Sequence, residues 1–295
     1  MSPSQELLTT QKITVIGAGT MGHGIAGQAA RCGAFVTLFD TQPDALQSGL
    51  QHIQNSYQGA IRRGKMSEDE VAEAWARIRP ADLNQEKALA AACLEATLVI
   101  EAAPERLELK RAIFTEVESV VSETTLLATN TSSLSIDKIA EALNHPARFI
   151  GMHFFNPVAI MPLLELVRGE ATSDEVVDLS KQIAEALLKT PIVVRDAPGF
   201  ATSRLGIALG NEAMRIFEEG VASAEDIDRA MVLGYRHPIG PLALTDLVGL
   251  DVRLAISEYL HSHLGTDTFK PPQILRDKVE RGELGKKSGR GFYEY

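Results

Sequence analysis

The chain has 295 residues, 45% of them hydrophobic, which is enough for a sizeable core and suggests about two domains. Its formal net charge of −10 argues against a general binder of nucleic acid or anionic membrane, because phosphate binding needs clustered Lys and Arg. The two cysteines, Cys32 and Cys93, lie in apolar or alanine-rich runs and read as reduced core thiols.

In chain order, MSPSQELLTTQK has no basic start followed by an apolar core, so no secretory leader is expected. No run approaches the ~18 apolar residues needed to span a bilayer. A soluble, cytoplasmic protein with no metal site is the expectation. KITVIG (12–17) is a short β-branched strand ending in glycine, and a helix follows from about Met21 to Cys32. FVTLFD (35–40) is a second strand. A helix runs from Pro43 to Arg63, with proline in the first turn and Gly64 past its end. SEDE (67–70) has the capping-box spacing and opens another helix. Strands at 98–102 and 126–130 flank a helix around 107–121. Strands at 148–155, 163–167 and 191–195 complete this half.

Strands alternating with helices imply an α/β fold, a doubly wound, mostly parallel sheet. The pair 148–155 and 163–167 is close enough in sequence to form an antiparallel edge. After APGF (197–200) the pattern changes to helices at about 200–219, 224–233 and 241–264, with no strand before the tail GFYEY. The boundary is placed at 195/196, giving a Rossmann domain (1–195) and a smaller all-helical domain (196–295). The apolar LALTDLVGL (242–250) suggests that the second domain buries a face against another copy, as a homodimer.

Gly17, Gly19 and Gly22 make a GxGxxG with Thr20 and Met21 inside it. Alone that is a Gly-rich turn. Here a strand precedes it, a helix follows, and Asp40 ends the next strand, which is the dinucleotide-binding arrangement. The pyrophosphate would sit on the helix N-terminus. Asp40 would accept from the ribose hydroxyls, and Thr41, Gln42 and Pro43 offer no cation for a 2′-phosphate. NAD is therefore expected over NADP.

If HFFNPVAIMPLLELV (153–167) is a hairpin with a loop at 156–162, a register centred on Ala159 sets His153 against Glu165. Opposed residues share a face, with Cβ atoms ~4.5–5.5 Å apart. The carboxylate would orient the imidazole, and the other ring nitrogen would exchange a proton with substrate. A lone histidine in an apolar strand is ordinarily a satisfied core residue; the opposed Glu165 and the dinucleotide half tip it toward function. Asn130-Thr131-Ser132-Ser133 follows a strand at the carboxyl edge, where ligands of open sheets bind. A hydroxyl there would either hold a substrate oxygen or cap a helix. Arg62, Arg63 and Lys65 either hold a ligand phosphate or offset a helix dipole.

Together VIGAGTMGHGIA (15–26), EAAPERLELK (101–110), ATNTSSLSI (128–136), GMHFFNPV (151–158), DAPGF (196–200), GPLALTDLVGLD (240–251) and GKKSGRGFY (285–293) resemble the L-3-hydroxyacyl-CoA dehydrogenases, the bacterial 3-hydroxybutyryl-CoA dehydrogenases included. The resemblance covers the chain from about Lys12 to Tyr295. It implies a Rossmann domain plus a helical dimerisation domain, with His153 as acid/base and Glu165 as its orienting partner. It also implies Ser132 at the substrate oxygen and nicotinamide, with Glu105, Lys110 and Lys287 at the cofactor. Ser56 and Arg63 would lie at coenzyme A, which favours the ligand reading of the basic turn. One departure is Ser203, which stands where the family has an asparagine near the active site; it would still reach the substrate or His153 through a water.

The expected reaction is NAD-dependent, reversible oxidation of (S)-3-hydroxyacyl-CoA to 3-oxoacyl-CoA, first of all a short chain such as 3-hydroxybutyryl. The alternatives are a 3-hydroxyadipyl chain, a free hydroxy acid as in gulonate-type dehydrogenases, and an NAD-binding regulatory protein on the same fold.

Overall fold

A computed structural model describes residues 3–295, with side chains from Glu6 onward. The expectation of no leader rests in part on Met1 and Ser2, which lie outside the described residues. The chain divides into two compact units between Asp196 and Ala197. Among the described residues, no helix is long and apolar enough to cross a membrane.

The first unit holds strands β1 (Lys12–Ile16), β2 (Phe35–Phe39), β3 (Ile78–Pro80), β4 (Leu98–Glu101), β5 (Leu126–Thr129), β6 (Phe149–Phe154), β7 (Leu163–Arg168) and β8 (Thr190–Arg195). Its helices are α1 (Pro3–Thr9), α2 (Thr20–Arg31), α3 (Pro43–Arg62), α4 (Glu68–Ala76), α5 (Ala88–Cys93), α6 (Leu107–Glu118), α7 (Ile136–Ala140) and α8 (Asp174–Ala186). The sheet order is β3-β2-β1-β4-β5-β6-β7-β8. The first six strands run parallel in the two-halves order of a dinucleotide-binding sheet. β7 is antiparallel to β6, and β8 is parallel to β7, so the antiparallel edge is two strands wide. The central strands are apolar throughout because helices cover both faces: β4, β5 and β6 are buried at every position.

The capping box at Ser67 forms as its spacing predicts: Ser67 Oγ accepts from the Glu70 amide and Glu70 accepts from the Ser67 amide. Both cysteines are free, and burial pushes the thiol of Cys32 up to about 11 and that of Cys93 up to about 12. Neither is a thiolate near neutrality.

The second unit holds α9 (Thr202–Glu218), α10 (Ala224–Arg229), α11 (Pro241–Val248), α12 (Leu250–Leu264) and α13 (Gln273–Glu280). Its core joins Met214, Ile227, Leu242, Leu250 and Leu275. Three expectations need correcting here. The helix at 241–264 is two helices, because Gly249 takes φ 106, outside helical space. The helix at 224–233 ends at Arg229 and continues as one π-turn over Ala230–Gly234. GFYEY is no strand: only isolated bridges touch it, and the buried Asp246 carboxylate accepts from the amides of Phe292 (2.9 Å) and Tyr293 (2.8 Å). One side chain thus takes the donors a neighbouring strand would have taken.

Candidate active site

The turn after β1 is shaped for a close ligand. Gly17 has φ 98, and a Cβ there would lie 2.7 Å from the Ala102 carbonyl oxygen. A Cβ on Gly22 would fall 1.7 Å from the Gly17 oxygen, so α2 can approach the strand only with glycine at that position. A Cβ on Gly19 would meet nothing within 4 Å, which leaves its backbone open on the side where a pyrophosphate would lie. Thr20 and Met21 begin α2, whose first N–H groups point the same way. Asp40 accepts from the Ala18 amide at 2.8 Å and the Gln42 amide at 2.9 Å, one on each oxygen, so each oxygen keeps a lone pair for a ribose hydroxyl. These residues fit a dinucleotide.

Past β4 lies a charged network. Lys110 on α6 is buried, and its ammonium donates to Glu101 (2.6 Å) and to the Ala103 carbonyl (3.2 Å), with Glu105 at 3.4 Å. The ammonium thus donates to two protein acceptors and forms an ion pair with a third group, Glu105. Glu105 Oε1 accepts from the Thr131 hydroxyl (2.5 Å) and the amides of Ser132 (3.0 Å) and Ser133 (3.1 Å). Burial pushes the Glu105 carboxyl up, but Lys110 and these donors outweigh it and hold it below the usual range. The Ser133 hydroxyl also donates to Glu105 at 3.2 Å, the Ser132 hydroxyl only at 3.4 Å, while Ser135 caps α7 through the Lys138 amide. Asn130 ties the same loop to β6, its Oδ1 accepting from the Phe154 amide at 2.9 Å.

The hairpin has the register that sets His153 against Glu165. Gly151 pairs with Val167, His153 with Glu165 and Phe154 with Leu164. His153 Nδ1 lies 3.0 Å from Glu165 Oε2, and Glu165 is fully buried. With the carboxylate accepting from Nδ1–H, the tautomer is set and proton exchange falls to Nε2. Phe155 packs on the imidazole, with ring centroids 4.4 Å apart. The 156–162 loop is held from below by buried Lys189, which donates to the carbonyls of Val158 and of Met161 (2.9 Å).

Ser56 lies on α3 and Arg63 is the residue at its C-terminal cap; both are exposed. Ser56 lines a cavity of about 90 Å³ with Thr20, His23 and the loop residues Asn156 and Pro157. Arg63 folds back over Gly59, whose added Cβ would meet the guanidinium at 3.1 Å. In the second unit, Ser203 lies in the first turn of α9. Lys287 in the same unit is paired with Asp251 at 2.5 and 2.7 Å.

Sequence reasoning passed over Glu101, for which a carboxylate closing the apolar strand LVIE was the available signal. Thr131, read as a hydroxyl for substrate or for a helix cap, donates to Glu105 instead.

The family model "3-hydroxyacyl-CoA dehydrogenase, NAD binding domain" matches residues 12–197, and its C-terminal-domain counterpart matches residues 199–295. The 3-hydroxybutyryl-CoA dehydrogenase of Bradyrhizobium diazoefficiens is 41% identical over 97% of this chain and 95% of that protein. The 3-hydroxyadipyl-CoA dehydrogenase of Escherichia coli is 40% identical over 98% of this chain and 60% of that protein. The crystal structure of (S)-3-hydroxybutyryl-CoA dehydrogenase PaaH1 from Ralstonia eutropha superposes with a TM-score of 0.90 at 40% identity, covering 97% of this chain and 99% of that one. The chain belongs to the 3-hydroxyacyl-CoA dehydrogenase family and is an NAD-dependent oxidoreductase.

Proposed function

We propose that the chain interconverts a short-chain (S)-3-hydroxyacyl-CoA, 3-hydroxybutyryl-CoA before others, and its 3-oxoacyl-CoA, as a cytoplasmic homodimer serving β-oxidation. The observation that carries the chemistry is the His153–Glu165 contact at 3.0 Å, on opposed strand positions of the dinucleotide-binding unit. Bound NAD supplies the hydride acceptor. His153 takes the substrate hydroxyl proton on Nε2, and Glu165 stabilises the imidazolium that results. The Ser132 hydroxyl holds the substrate oxygen, and Ser203 assists through a water. Gly17, Gly19, Thr20, Met21 and Gly22 cradle the pyrophosphate, and Asp40 binds the ribose. Glu105, supported by Lys110, and Lys287 serve the nicotinamide half. Ser56 and Arg63 hold coenzyme A along α3. The basic Arg63 favours a CoA ester over a free hydroxy acid.

The acyl chain is tested by a kcat/KM series over 3-oxoacyl-CoA lengths, dicarboxylic chains included. The greatest value is expected at four carbons, with each added methylene worth ~1–3 kcal/mol in the pocket. The 40% identity to a 3-hydroxyadipyl-CoA dehydrogenase supports a second reading; a maximum at the six-carbon dicarboxylic chain would select it.

A further inference from the structure

We propose that Glu101 is a positioning residue that also sets the charge under the cofactor: with Lys110 it fixes Glu105 against the Thr131–Ser133 loop, and the net negative charge of the three groups favours the oxidised cofactor. The proposal rests on the NAD-dependent assignment and not on any acyl chain.

Glu101 ends β4 beside Ile16 of β1 and opposite Thr129 of β5. It is fully buried, and its two oxygens take three donors at 2.6 Å: the Lys110 ammonium and the Ala103 amide on one, the Thr129 hydroxyl on the other. Burial holds its carboxyl above the usual carboxylate range, and the Lys110 ammonium with the Thr129 and Ala103 donors offsets only part of that push. The ammonium so held reaches Glu105 at 3.4 Å, and Glu105 in turn gathers the Thr131 hydroxyl and the two serine amides. Removing one member of such a set leaves a buried charge unpaired, so the members act together.

Among the described residues, the ion pairs give these two carboxylates one cation between them. The sum is one negative charge. Its place in the sheet gives it a target. Asp40 follows β2, the open glycine turn follows β1, and His153 lies on β6. A dinucleotide whose ribose is at Asp40 and whose ring serves a proton acceptor at His153 must pass over the ends of β4 and β5. The nicotinamide ring is cationic when oxidised and neutral when reduced. A fixed negative charge beneath it therefore strengthens binding of the oxidised form alone.

The test is the dissociation constant of NAD+ and of NADH, each titrated against wild type and Glu101→Gln at one pH and ionic strength. The ratio Kd(NAD+)/Kd(NADH) is expected to rise roughly tenfold in the variant. A loosened loop without a charge effect would weaken both forms equally and leave the ratio unchanged, which would overturn the proposal. Thr129→Val, which removes a donor but no charge, is expected to leave the ratio at the wild-type value; a rise there would also count against the proposal. Should Glu101→Gln fail to fold by circular dichroism, Glu105→Gln carries the same test, since its side chain is 36% exposed. Cofactor binding is read without substrate, so a wild type that binds both forms but turns over no 3-hydroxyacyl-CoA would sink the substrate reading and leave this one standing.

Discussion

At His153, Nδ1 is tied to Glu165, and the proposed proton exchange is assigned to Nε2. Nδ1 faces a carboxylate that is fully buried, so the pair cannot exchange Glu165 for water without opening the hairpin. General acid–base catalysis contributes ~10²–10⁴-fold, and His153→Gln is expected to lower kcat by that order. Ser203→Ala, measured beside it, should lower kcat by less, because a serine acting through water only assists. Equal losses would make Ser203 a primary group. A second histidine makes a pH prediction. Burial, followed by the neighbouring His52, lowers the pKa of His23, and the two rings stack with centroids 5.0 Å apart. Its folded value lies below the ordinary 6.5, so the unfolded chain holds the proton more tightly. Stability from this site is complete above 6.5 and falls as the pH drops through it. Chemical unfolding at about pH 7.5 and about pH 5.5 should show that loss, and His23→Asn should shrink it. A variant with the same loss as wild type would remove His23 from the account.

At the scale of elements, the β6–β7 hairpin depends on a lysine outside it. Lys189 precedes β8, is buried with no carboxylate partner among the described residues, and donates to two carbonyls of the 156–162 loop. Burial lowers its pKa. Lys189→Met keeps the stem but leaves those carbonyls unpaired, so urea unfolding should show a loss of about 1–3 kcal/mol. An unchanged midpoint would mean the loop holds itself. The register of that hairpin was legible from sequence, because the two strands and a seven-residue loop leave one alignment that puts His153 and Glu165 on one face. β3 was not legible: it is three residues ending in Pro80, tolerated only because it is the sheet edge. The Glu101–Lys110–Glu105 network was hidden for a related reason. A strand-ending Glu and a helical Lys nine positions on look like solvated charges until the helix folds back over the strand end. The break at Gly249 was hidden because the apolar run continues across it, with Leu247 and Val248 before and Leu250 after.

For the whole molecule, each unit carries its own part of the proposal. The second unit leaves Leu205, Leu233 and Tyr235 more than 70% exposed, an apolar surface suited to a second copy of the chain. Sedimentation should give twice the 31.9 kDa chain mass, and Leu233→Glu with Tyr235→Glu should shift it toward the single-chain value. A wild type that sediments at the single-chain mass would contradict the dimer. In the proposed function a His153–Glu165 pair works on a CoA ester beside NAD. Its most direct test mixes the protein with acetoacetyl-CoA and NADH and follows NADH absorbance in wild type and His153→Gln. The predicted result is rapid NADH oxidation by the wild type, slowed by a factor of ~10²–10⁴ in the variant. No oxidation by the wild type with acetoacetyl-CoA or longer 3-oxoacyl-CoA substrates, or equal rates in the two proteins, would contradict it.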